Sequence, residues 1–364
     1  MAQTKRAAHR SHARRNRTDA PAPNGQGIAG KLAFLFPGQG SQHLGMGQRL
    51  HDISQAARSV FAQADDTLGF PLSRVCFEGP QADLDDTSNT QPAVLATSVA
   101  SLAYLRERLQ ELGRRLNPSL VAGHSLGQFT AAVAAEALEF ADALRLVVER
   151  ARIMKAWVRS RPGGLATILG LSDDTADDLC RQASAEGAVG VAGYNAPGHT
   201  VVAGENAALD RVMAMAKERG ARAIRLPISV PGHIPMMREA ALELGKTLRR
   251  VPLRDPQVPL VSNISTRLLT RADEVRQELG DQLFSAVQWA RCVRAMISEG
   301  VATFVEVGPG QTLTRMMQRI GENAAIFSVR DPESSDLLLA RVPVGAPSAP
   351  IVAAPGPSAG RALR

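Results

Sequence analysis

Short apolar runs closed by glycine, proline or polar turns alternate with amphipathic stretches along most of this chain. The segment "KLAFLFPGQG" (31–40) is a continuous apolar run ending in a Pro/Gly turn, the pattern of a strand covered on both faces. "SLVAGHSLG" (119–127) repeats it, and both runs lead into helical patterning. "GQFTAAVAAEALEFADALRLVVERARIMKAW" (127–157) predicts two helices broken near 139–141, with Asp142 at a cap position. "VPLVSNIS" (258–265) and "ATFVEVGPGQTL" (302–313) are again strands that end in polar or Gly/Pro turns. Strands alternating with helices, with the turns at strand C-termini, predict a largely parallel α/β sheet with its site along that edge.

Residues 160–229 follow a different order. Strand "GLATILGL", helix "SDDTADDLCRQASAEG", strands "VGVAGYNA" and "HTVVAGE", helix "NAALDRVMAMAKERG" and strand "ARAIRLPI" read as βαββαβ. That is the ferredoxin-like unit, here a small subdomain inserted into a large one built from 31–159 and 230–335. The basic segment 1–30 has few apolar residues and no periodicity, so it is expected as a disordered arm; its Arg/Ser/Ala content also fits a transit peptide. The Pro/Ala-rich segment 336–364 is expected as a tail.

Composition then removes several function classes. The net charge of +7 suggests a nucleic-acid binder until it is located: the arm carries +5 and residues 341–364 carry +3, leaving −1 for residues 31–340. A basic binding face therefore has no support in the folded part. No window reaches the roughly 18 uninterrupted apolar residues of a membrane span. Cys76, Cys180 and Cys292 are few, odd in number and widely spaced, which predicts a reducing compartment, the cytoplasm, with neither a disulfide framework nor a zinc site. "FPGQGSQH" has His43 where a dinucleotide fingerprint needs its third glycine, and no phosphate-loop lysine follows.

Ser125 sits in a G-x-S-x-G pattern at a strand-to-helix junction. A sharp turn there exposes Oγ and gathers the new helix's N-terminal amides around a developing oxyanion. Gly123 and Gly127 permit the close backbone approach such a turn needs. A serine hydroxyl becomes a useful nucleophile only when a base takes its proton. Of seven histidines, His9 and His12 lie in the arm, and His124 is expected to face the opposite side of the turn. His43 and His51 follow the first Gly-rich turn, and His199 opens a strand of the insert. His233 in "ISVPGHIPMM" remains, where the chain returns to the large subdomain; a lone histidine is more often structural than catalytic. "VEVGPGQTL" reads on its own as a strand-terminal turn.

Taken in order, "FPGQGSQ", "GHSLGQ", "RARIM", "NAPGHTVVAG", "SVPGH", "VQW" and "EVGPG" resemble the malonyl-CoA:acyl carrier protein transacylases and the acyltransferase domains of fatty-acid and polyketide synthases, over roughly residues 31–330. The resemblance implies an α/β-hydrolase-like core with a mostly parallel sheet and a ferredoxin-like insert. It implies that Ser125 carries the acyl group as an ester, that His233 is base and then acid, and that the amides of Gln39 and Leu126 form the oxyanion hole. A backbone carbonyl in the segment matching "VQW", Gln288, is implied to orient the histidine. Arg150 falls where relatives grip the free carboxylate of malonate, with Met154, Gly232, Asn195 and Gln39 beside the substrate. Without the resemblance Arg150 would equally be a solvated helix arginine.

Gln128 stands where many relatives carry Glu, which removes a charge near the turn. Gly232 stands where relatives usually carry Ser, Phe or another larger side chain, which enlarges the pocket and extends the implied substrates to related dicarboxylic acyl groups. The expected partners are an acyl carrier protein and an acyl-CoA, with no nucleic acid, membrane, metal or cofactor, coenzyme A thioester being a substrate; a monomer is expected. A hydrolase using the same Ser-His site, and a non-catalytic carrier-docking scaffold, are the alternatives.

Overall fold

Strand β1 (Lys31–Phe36) buries every residue after Lys31, and alternate side chains enter two different cores. Leu32, Phe34 and Phe36 join one, Ala33 and Leu35 the other, as the two-residue period of a strand requires when helices cover both faces. The computed structural model describes residues 30–321 and 323–342. In it, β1 pairs in parallel with β2 (Leu120–Gly123) on one side and with β9 (Val301–Val307) on the other. β10 (Ala325–Val329) continues the parallel sheet beyond β9, and β7 (Leu260–Val261) beyond β2; β8 (Leu268–Leu269) closes that edge antiparallel. The order is β10-β9-β1-β2-β7-β8.

The insert is a separate antiparallel sheet in the order β4-β5-β3-β6, made of β3 (Gly163–Leu169), β4 (Val189–Ala196), β5 (His199–Glu205) and β6 (Arg222–Arg225). Helices Asp173–Ala183 and Asn206–Glu218 cover one face and bury a core of Ile168, Leu179, Val202, Leu209 and Val212 with it. On the other face Leu165, Ala192 and Ala203 pack with Ile234 of the returning chain. The two bodies are stitched by Val287. Its amide donates to Ala192 O (2.9 Å), and its carbonyl accepts from Tyr194 N (2.9 Å). The molecule is thus the α/β core with a ferredoxin-like insert that the patterning predicts.

Two local expectations shift. The helix break is present, between Gly127–Ala134 and Phe140–Val158, but Glu139 occupies the cap position without a side-chain cap bond, and Asp142 lies in the first turn. Helix Pro332–Leu339 crosses into the segment expected as tail: Asp331 accepts from Ser334 N, and Leu338 and Leu339 are buried in the main core. The arm, apart from Gly30, and the tail from Pro343 onward lie outside the described residues. Among the described residues no helix is long and apolar enough to cross a membrane.

Candidate active site

β2 delivers Ser125 onto a turn in which its φ is +53°, a left-handed conformation that few side chains adopt. The turn is tight enough that glycine is obligatory on either side of it. A Cβ at Gly123 would lie 1.9 Å from the carbonyl carbon of Gly127, and one at Gly127 would lie 2.1 Å from Phe36 O. The loop after β1 presses on the same turn, since a Cβ at Gly38 would lie 2.4 Å from His124 O. This brings Gln39 beside Leu126 at the start of helix Gly127–Ala134. Among the described residues neither the Gln39 nor the Leu126 amide donates to a protein acceptor.

His233 reaches the serine from 108 positions away, with Nε2 2.6 Å from Ser125 Oγ. It too has a positive φ, +69°, and its own amide donates to Leu283 O (2.8 Å). Nδ1 lies 2.6 Å from the carbonyl of Gln282, which therefore accepts its proton and leaves Nε2 as the acceptor facing Oγ. The carbonyl implied from the sequence, Gln288, is not the one used. Gln288 precedes helix Trp289–Ser298, and its carbonyl accepts the first helical bond, from Cys292 N (2.8 Å). Gln282 follows helix Ala272–Asp281 and opens a 3-10 turn, Gln282–Phe284; its carbonyl accepts from Ser285 N at 3.3 Å, and its second lone pair takes the imidazole. The Val287–Gln288 backbone instead joins β4 and Asn263.

Arg150, on helix Phe140–Val158, is only 2% exposed yet has no carboxylate partner among the described residues. Nη1 donates to Gln91 Oε1 (2.9 Å), Nη2 lies 3.4 Å from Ser125 Oγ, Nε has no partner, and the guanidinium sits 5.9 Å from the centre of the Phe129 ring. Burial pulls its pKa down to about 10. It remains a cation at neutral pH, with unmet donors beside the nucleophile. Burial, and next the Arg150 charge, push the His233 imidazole down to about 3, so it is neutral and able to take a proton at physiological pH.

Ser125, His233, Arg150, Met154, Gly232, Gln39, Leu126 and Asn195 all line one cleft of about 670 Å³ between the two bodies; Gln288 does not. A Cβ at Gly232 would be 3.7 Å from the Met154 methyl, ordinary contact, so a larger residue there would project into the space beside Arg150. His124 does not turn away from the cleft: its Nε2 pairs with Asn195 Oδ1 (2.9 Å) and its ring meets Trp289 edge-on. The "VEVGPGQTL" turn also has a role: Glu306 accepts from Leu313 N (3.0 Å) and Thr314 N (2.8 Å), fixing helix Thr312–Ile320, whose Thr312, Leu313 and Met316 line the same cleft. Sequence reading missed Gln91, Asn263, Glu278 and Gln282. Only their positions in the fold single them out, because no motif spacing connects them to Ser125.

A parallel α/β core carrying a serine on a strained strand-to-helix turn, with a ferredoxin-like insert over it, defines an acyl-transfer fold. Residues 33–337 match the acyl transferase domain family, and the chain belongs to that family. It is 39% identical over 311 residues to the malonyl CoA-acyl carrier protein transacylase of Bacillus subtilis (strain 168), covering 85% of this chain and 96% of that one. The Escherichia coli (strain K12) transacylase of the same description is 37% identical over 305 residues, covering 84% and 97%. Among solved structures, a malonyl-transacylase in complex with a type II polyketide synthase acyl-carrier protein superposes with a TM-score of 0.80 at 36% identity, over 85% of this chain and 99% of that one. The acyl-carrier-protein S-malonyltransferase of Burkholderia pseudomallei 1710b gives 0.80 at 39% identity, over 84% and 98%.

Proposed function

We propose that this chain moves a malonyl group, or a related dicarboxylic acyl group, from coenzyme A to the phosphopantetheine thiol of an acyl carrier protein through an ester on Ser125. The observation that carries the reading is the 2.6 Å contact between Ser125 Oγ and His233 Nε2, with the unpaired guanidinium of Arg150 beside the same oxygen. His233 takes the Oγ proton as Oγ attacks the thioester carbonyl. The tetrahedral oxyanion is held by the free amides of Gln39 and Leu126. Collapse breaks the C–S bond, and His233 returns the proton to the departing coenzyme A sulfur. The carrier thiol then gives its proton to His233 and attacks the ester carbonyl. Collapse breaks the C–Oγ bond, and the proton returns to Ser125.

Arg150 selects the donor by pairing with the distal carboxylate through charge-assisted bonds. A monocarboxylic acyl group would leave that buried cation desolvated and unpaired, a penalty of a few kcal/mol. Every group in this scheme comes from one chain, so a monomer suffices. The acceptor is one of two chemistries, a thiol or water, and one experiment separates them. The chain is incubated with malonyl-CoA, with and without phosphopantetheinylated carrier, and both proteins are weighed by mass spectrometry. Malonyl mass on Ser125 that passes to the carrier is expected. Rapid release of free malonate without carrier loading would favour the hydrolase, and no acyl mass on Ser125 from any acyl-CoA would leave only the scaffold.

A further inference from the structure

Ser125 and His233 lie 108 positions apart in sequence, so their 2.6 Å contact depends on what holds the two backbones in register. Beneath the serine turn lies a buried carboxylate, Glu278, on helix Ala272–Asp281. Its Oε1 accepts from Asn263 N (2.6 Å) and from Gln128 Nε2 (3.2 Å), and its Oε2 accepts from Ser262 Oγ (2.6 Å). Asn263 in turn clasps the turn from both ends: its Oδ1 accepts from Ser125 N (2.9 Å), and its Nδ2 donates to Gly123 O (2.8 Å). Gln128 adds a third hold, its Oε1 accepting from Gly123 N (2.9 Å). Four residues along from Glu278, the carbonyl of Gln282 takes the proton of His233 Nδ1.

We propose that Glu278 is a positioning residue for acyl transfer. Through Asn263 and Gln128 it fixes the backbone of the nucleophile turn, while the same helical run fixes the base through Gln282. One rigid segment thereby sets the Oγ–Nε2 separation, although the two side chains belong to distant parts of the sequence. The three donors converging on a single carboxylate leave no room for a second acid in the contact. Glu278 supplies the acceptor set, and Gln128, which donates to it, completes the match. This inference rests on acyl transfer at Ser125 as proposed above.

The test is rapid-quench acylation of the full-length chain by malonyl-CoA, read by intact mass, so that amplitude counts competent sites and the rate constant reports their geometry. Glu278→Ala is expected to slow acylation by about 10²-fold per competent site, with KM for malonyl-CoA within about twofold. Glu278→Gln, which keeps the shape and one acceptor oxygen, is expected to recover most of that rate. If Glu278→Ala fails to fold, Gln128→Glu and the double variant Gln128→Glu/Glu278→Gln decide. The first sets two carboxylates against each other, and the second returns one amide and one acid to the contact, with a recovery of about tenfold or more expected from their coupling. An unchanged rate constant in Glu278→Ala, a loss confined to amplitude, or a double variant no faster than Gln128→Glu would overturn the positioning role. A wild-type chain that never acquires malonyl mass would instead remove the acyl-transfer reading on which it rests.

Discussion

Two cationic or basic groups share the serine oxygen, and their different chemistries make separable predictions. Arg150→Ala is expected to lower kcat/KM for malonyl-CoA by about 10²-fold or more while acetyl-CoA improves relative to it, because the partner of the distal carboxylate is gone and the buried charge with it. Competition assays with the two thioesters check this, and undiminished preference for malonyl would exclude the assigned role. His233, held neutral down to about pH 3, should keep acylation rates level between pH 8 and 5 instead of halving near 6.5. The same shift has a stability consequence whose sign is fixed. Below 6.5 the unfolded chain's imidazole binds a proton that the folded one refuses until about 3, so stability falls as pH drops through that window and levels off below it. Thermal midpoints measured from pH 7 to 4 should therefore decline, and less steeply in His233→Asn. At this scale Ser125 was legible from its glycines; the count of histidines only narrowed the base to His233, and both its role and that of Arg150 needed the resemblance: a helix arginine looks the same in sequence whether it faces water or a cleft.

At the scale of elements, what matters is where strands and helices stop. The serine turn exists because β2 ends at Gly123 and a helix begins at Gly127 with no space for a side chain at either position. Gly127→Ala should cost about 3 kcal/mol or more, since its Cβ would meet the Phe36 carbonyl, a backbone atom that cannot step aside. Gly245→Ala makes the contrast. It lies inside helix Arg238–Leu248, where an added Cβ meets only the end of Arg249 at 3.6 Å, and should stabilise by about 0.5–1 kcal/mol. Urea denaturation of the two variants reads both signs. Helix ends also explain the misassigned glutamine. Gln282 and Gln288 are six residues apart and chemically identical, and what separates them is where each segment boundary falls: one carbonyl opens a short 3-10 turn against His233, while the other opens helix Trp289–Ser298 away from it. Such a boundary is set by packing of the whole segment, which local spacing does not encode. The alternating strands and helices of the insert were readable from their apolar periods, whereas the five helices between Gln48 and Glu111 were not read from the sequence.

Across the whole molecule, each body keeps its own core, and the cleft between them depends on a few contacts that hold them together. Trp289 is fully buried in the core that takes in Ala196 of the insert, and its ring braces His124 at the cleft wall. Trp289→Ala should cost about 3–5 kcal/mol in urea denaturation and should raise KM as His124 and Asn195 lose their support. The cleft also has a kinetic corollary. Ser125, His233 and Arg150 line the same cleft, so the thioester that brings the acyl group and the thiol that removes it occupy the same space in turn. Excess carrier should accordingly behave as a dead-end competitor of acyl-CoA, and double-reciprocal plots at several carrier concentrations should run parallel until that inhibition bends them upward.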